Sequence, residues 1–235
     1  SCINLADPTD LEFEYMQQMT ATVDAFIPDR SLEALHLGGC ACALPVAWDA
    51  VRPGSSQTVV EINGELAHAM RELFELPRAP GLKIRVDEAF AAISSMRPER
   101  FDVIVRDVFT GPTTLPPLRS LEFFERAHEV LRPGGLLLVN CVHGRGNDAR
   151  EDSAAALKVF EHVSVVSEGK ILTGGRRGNV VIVAYKPIDE DEVVTSSWEE
   201  LQRLLRKLPI VPRFLNRKQA TQWVGTVPPI ELEAD

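Results

Sequence analysis

The chain reads as an α/β domain, a doubly wound and mainly parallel sheet with helices on both faces. Three observations predict it. Short apolar, β-branched runs alternate with amphipathic stretches at helical spacing. Thr58–Ile62 (TVVEI) and Phe101–Val108 (FDVIVRDV) have the make-up of strands covered on both sides. The 235 residues are enough to bury one large core.

Residues 10–27 place Leu11, Tyr15, Met19, Val23 and Phe26 at helical spacing, and Pro28 ends that helix. Leu32–Leu37 is a strand running into Gly38-Gly39, and Cys40–Trp48 is the first helix after it. Thr58–Ile62 is a strand, Gly64–Leu76 a helix, Lys83–Val86 a strand and Glu88–Met96 a helix. Phe101–Val108 and Leu136–Val142 are strands flanking a helix at Leu121–Leu131, which Pro133-Gly134-Gly135 terminates. A helix at Ala149–Phe160 precedes Val163–Ser167 and Asn179–Lys186. No helix separates those two strands, so they are expected as an antiparallel edge pair. Ser196 with Glu199 is a capping-box pattern for a last helix reaching about Lys207, and the Pro-punctuated tail beyond Pro209 is expected to be irregular. The pattern thus divides into a helical N-terminal segment packed on the core (1–30), a Rossmann-like nucleoside-binding domain (31–188) and a C-terminal helix with an irregular tail (189–235).

Hydrophobic residues at 45% and charged residues at 25% exclude a disordered or fibrous chain. The net charge of −9 disfavours nucleic acid and anionic membranes as partners and favours small cations. No apolar run reaches the roughly 20 residues that cross a bilayer, and no basic-then-apolar leader opens the sequence. A cytoplasmic protein with reduced cysteines is expected. Cys2, Cys40, Cys42 and Cys141 lack zinc-site spacing, and no metal is expected.

Parallel doubly wound sheets bind ligands at the carboxyl ends of their strands, which singles out Gly38, Glu61, Asp87 and Asp107. Gly38-Gly39 lets backbone N–H groups and a helix N-terminus approach a ligand, although such a pair is also a common tight turn. Glu61 stands 23 residues past Gly38, near the spacing at which an acid meets a ribose diol. Asp87 could accept from an adenine amine or cap the helix that begins at Glu88, and Glu88 lies beside it. Asp107, under a Gly- and Pro-rich loop, is a candidate general base or cation anchor. Asp102 starts the same strand and receives no role. His36 reads as a core histidine, and His143 with Cys141 lacks a third metal ligand. Arg176-Arg177 reads as a solvated loop tip, with anion binding the minority option.

With these residues in place the chain resembles spermidine synthases and spermidine-synthase-like proteins, the polyamine aminopropyltransferases, from about Asp10 to Lys186. Leu11–Met19 resembles the family segment whose catalytic tyrosine falls on Tyr15. Leu35–Cys42 (LHLGGCAC) is similar to its Gly-rich loop, and Val60-Glu61-Ile62-Asn63 to its ribose-binding strand. Val86-Asp87-Glu88-Ala89 is similar to the adenine-side segment, and Asp102–Pro112 to the strand and loop of the catalytic aspartate, here Asp107. The resemblance implies a seven-stranded sheet of the S-adenosylmethionine-dependent methyltransferase type with an antiparallel edge strand. It implies no tightly bound cofactor, decarboxylated S-adenosylmethionine as co-substrate, methylthioadenosine as product and a small cationic amine such as putrescine as acceptor. It leaves a homodimer open.

The sequence departs from that family in its amine half. Ala41 replaces the Gly-rich loop's acid, and Thr110 replaces the second acid of the loop after Asp107. Asn140-Cys141-Val142-His143 lacks the glutamine and glutamate found near the distal amine, and an N-terminal β-hairpin domain is missing from the sequence. Three functions stay open: aminopropyl transfer, S-adenosylmethionine-dependent methyl transfer and nucleoside binding without catalysis.

Overall fold

In the computed structural model, which describes residues 2–39, 42–111, 113–189, 192 and 194–232, strands and helices alternate as the apolar pattern dictates. α1 spans Glu14–Phe26, β1 Glu33–Gly38, α2 Ala43–Val51, β2 Ser56–Glu61, α3 Gly64–Leu73 and β3 Leu82–Val86. They are followed by α4 Ala89–Ser94, β4 Phe101–Asp107, α5 Leu121–Val130, β5 Leu131–His143 and α6 Ala149–Val159. The remainder holds β6 His162–Ser167, α7 Gly169–Leu172, β7 Gly178–Lys186, α8 Thr195–Leu205, β8 Arg213–Leu215 and α9 Arg217–Val224. Cys40, Ala41, Pro112 and the acidic pair Glu190-Asp191 lie outside the described residues.

The strands form one sheet in the order β3-β2-β1-β4-β5-β7-β6-β8. The run from β3 to β5 is parallel. β7 lies antiparallel between β5 and β6, and β8 runs antiparallel to β6 at the edge opposite β3. The doubly wound, mainly parallel sheet is therefore present with eight strands rather than seven. The antiparallel strand β7 sits inside the sheet because its stretch Val180–Tyr185 is buried throughout, too apolar for an edge. A short helix, α7, also separates β6 from β7.

Two expectations about the C-terminus need correction. The tail beyond Pro209 is not wholly irregular, since β8 and α9 occupy it. Its prolines stand at 209, 212, 228 and 229, and the proline-free residues between them are long enough for both elements. Nor does Ser196 cap α8. That helix starts one residue earlier, after Val194, with no side-chain cap. Val194 is 7% exposed and fixes the entry by packing. The capping box is found at α9, where the Asn216 and Gln219 side chains each accept from the other's backbone N–H.

Alternation along the strands feeds two apolar layers. Leu35, Leu37, Ile104, Leu137 and Val139 pack with residues of α4, α5 and α6. Ala34, Val103, Val105, Leu136 and Leu138 pack with residues of α1, α2 and α8. Arg106 interrupts the apolar sequence of β4 yet is completely buried. Its guanidinium donates to Asp152 of α6 at 2.5 Å and to the carbonyls of Leu118 and Asn140. Arg119 donates to the other Asp152 oxygen at 2.8 Å, so the buried charges are paired and hydrogen-bonded. His36 is buried and takes Gln57 Oε1 at 3.0 Å as its Nε2 partner, as a core histidine should.

Candidate active site

The site is built where four parallel strands end. In the register of β1 with β4, Gly38 stands beside Asp107, and Asp87 donates its backbone N–H to the carbonyl of Glu61. Gly38 has φ +80°, and a Cβ there would fall 2.5 Å from the carbonyl oxygen of Asp107. Only glycine fits such a position. Gly39 is also left-handed, and a Cβ on it would lie 3.9 Å from Asp107 Oδ2, so the glycine turn borders the carboxylate directly.

Asp107 is held on both oxygens. The Tyr15 hydroxyl, from α1, donates to Oδ2 at 2.8 Å, and the Asn140 amide, from β5, donates to Oδ1 at 2.8 Å. Burial, and then the negative charge of Asp107, push the Tyr15 phenol well above its ordinary range. Tyr15 is therefore a fixed donor rather than a proton acceptor. Thr114 Oγ1 donates to the Val108 carbonyl at 2.7 Å, and the Thr110 N–H donates to the Thr113 carbonyl at 2.7 Å. Those bonds shape the loop above Asp107.

At the other end, Glu61 Oε1 accepts from the Asn63 N–H at 2.9 Å, which turns its carboxylate across the end of β2. Asn63 in turn caps α3. Asp87 accepts from the Glu88 N–H at 2.9 Å and pairs with Arg85 at 2.5 Å. Glu88, rather than Asp87, caps α4: its two oxygens accept from the N–H groups of Phe90 and Ala91. Asp102 is buried among Arg30, Arg132 and the Glu33 N–H, away from the site.

One cavity of about 610 Å³ is lined by Tyr15, Gly38, Gly39, Glu61, Asp87, Glu88 and Asp107 together. It also takes in Arg177 and Asn179, which the sequence did not place there, and Asn140, which the family resemblance placed at the amine end only as a departure. Asn140 carried a signal, a lone polar residue in the apolar run LLLVNCV beside the end of β4. Arg177 carried none, because only the β5–β7 pairing brings it to the site. A larger groove of about 1150 Å³ runs along α3 and β3 but holds none of the strand-end acids. Among the described residues no cluster of three His, Cys, Asp or Glu side chains is arranged to hold a metal ion.

The fold and the sequence agree with a solved structure, that of a probable spermidine synthase from Corynebacterium glutamicum. The two are 34% identical, the match covers 99% of this chain and 85% of that one, and the TM-score is 0.88. The chain belongs to the spermidine synthase family. A polyamine aminopropyltransferase of Neisseria meningitidis is 29% identical over 212 residues, covering 87% of this chain and 75% of the relative. The human methyltransferase-like protein 13, solved in complex with SAH, shares the fold at a TM-score of 0.64 and 22% identity, over 84% of this chain and 95% of that one. No protein-family model matches the chain. Within the spermidine synthase frame, Thr110 lines the cavity, while Ala41 lies outside the described residues.

Proposed function

We propose that the chain is an aminopropyltransferase that moves the aminopropyl group of decarboxylated S-adenosylmethionine to an amine, with Asp107 as catalytic base and Tyr15 as its partner. The observation that carries this reading is the carboxylate of Asp107, fixed by two 2.8 Å hydrogen bonds between the glycine turn and β5. Glu61 and Asp87, with the Gly38-Gly39 turn, hold the nucleoside on one side of it. Glu88 supports that end through the α4 cap.

An amine with a pKa near 10 is protonated at neutral pH and has no free electron pair. Asp107 draws the ammonium into place and accepts its proton. The nitrogen then forms a bond to the methylene carbon beside the sulfonium. The carbon–sulfur bond breaks toward sulfur, which leaves as neutral methylthioadenosine. Tyr15 and Asn140 hold the carboxylate in position, which favours attack at one carbon. No helix among the described residues is long and apolar enough to cross a membrane.

The test is release of methylthioadenosine from decarboxylated S-adenosylmethionine in the presence of an amine. The wild type should release it, and Asp107→Asn should bind methylthioadenosine yet release none. Nucleoside binding by the wild type without turnover on any amine would establish a non-catalytic binder instead. Formation of S-adenosylhomocysteine from S-adenosylmethionine would establish a methyltransferase.

A further inference from the structure

The cavity runs along the strand order, and its charge changes sign along that line. Glu61 and Asp87 stand at the ends of β2 and β3, and Gly38 and Asp107 at the ends of β1 and β4. Beyond Asp107 the lining continues through Asn140 and Val142 of β5 to Asn179 of β7 and Arg177 just before it. Among the described lining residues, the carboxylates are Glu61, Asp87, Glu88 and Asp107, and none lies beyond Asp107 on the β5–β7 side. A second cavity of about 500 Å³ continues from there, sharing Val142, Arg177 and Asn179 and adding Arg145 and Arg176. The turn after β5 is seated on this loop: a Cβ on Gly144 would come within 3.2 Å of the Arg177 Cα. Glu168 offsets Arg176 through an ion pair at 2.5 Å, but it lines neither cavity.

Given that aminopropyl transfer is the reaction, we infer that the acceptor is an amine carrying a carboxylate, with its nitrogen at Asp107 and its carboxylate at Arg177. The second ammonium of a plain diamine would meet an arginine there and, among the described lining residues, no acid. A carboxylate would gain a charge-assisted hydrogen bond from the same guanidinium.

The experiment measures amine binding to protein saturated with methylthioadenosine, with 4-aminobutyrate, ornithine, O-phosphoethanolamine and putrescine as probes. The two amino carboxylates should bind at least tenfold more tightly than putrescine, and Arg177→Glu should reverse that order. Methylthioadenosine affinity of the variant, measured on the same samples, reports the state of the fold. Equal or tighter binding of putrescine, binding of none of the amines, or an unchanged order in Arg177→Glu overturns the inference. Tightest binding of O-phosphoethanolamine overturns the carboxylate in favour of a phosphate. Turnover is scored separately. If the amino carboxylates bind as expected and none is alkylated, aminopropyl transfer fails while the anion preference stands.

Discussion

At the scale of single residues, the site's chemistry rests on which carboxylate oxygens are already occupied. Glu61 commits one oxygen to the Asn63 N–H and keeps the other for a ligand, so a ribose diol would meet a partly prepaid acceptor. Glu61→Gln should weaken methylthioadenosine by about tenfold or more, because a hydrogen bond to a charged group contributes roughly 1.5–3 kcal/mol. Calorimetry on the folded variant checks this, and unchanged affinity would remove Glu61 from the nucleoside half. The strand-end acids and the glycine turn were legible in the sequence because each ends a β-branched run before a turn. Tyr15 was reached only through the family resemblance, since it lies 92 residues from Asp107 and helical spacing alone makes it a core residue. Asn140 was given no role beyond its departure from the family at the amine end, and Arg177 was not placed in the cavity, because their place depends on strand pairing, which spacing along the chain does not encode.

At the scale of elements, β4 joins the site to the core through two adjacent residues that point opposite ways. Asp107 faces the cavity, while Arg106 faces α6 and buries its charge against Asp152. Asp152 also receives Arg119, from the 3-10 turn Pro116–Arg119 that ends the loop above Asp107. Asp152→Ala would leave Arg106 charged and unpaired in the core, a change that costs about 3–5 kcal/mol. Chemical denaturation should show a loss of that size. If the variant keeps wild-type stability, another group is neutralising Arg106. Elements of the sheet were readable from periodicity because long apolar runs leave few alternatives. The last two elements were not, since α9 is short and polar, and its stability comes from a capping box and from burying Ala220 and Val224.

At the scale of the whole molecule, the buried His36 ties stability to pH. Burial is the main cause that pushes its pKa from 6.5 down to about 4, against the raising effect of its bond to Gln57. An unfolded histidine binds a proton below about pH 6.5, whereas the native one stays neutral until about pH 4. Stability is therefore intact above pH 6.5 and falls as the pH drops toward 4, by roughly 3 kcal/mol for a shift of this size. Denaturant midpoints measured across that window should show the decline, and His36→Gln should flatten it. A wild-type midpoint independent of pH there would mean that the imidazole is solvated. The sheet's open flank has a consequence of another kind. β3 is an edge strand, and along it Lys83 is exposed and Arg85 partly so, between Leu82, Ile84 and Val86. A strand from another molecule that tried to extend the sheet would have to strip water from those cations. The strand that leads into Asp87 at the end of the cavity thus also guards the protein against growing, strand upon strand, into aggregates.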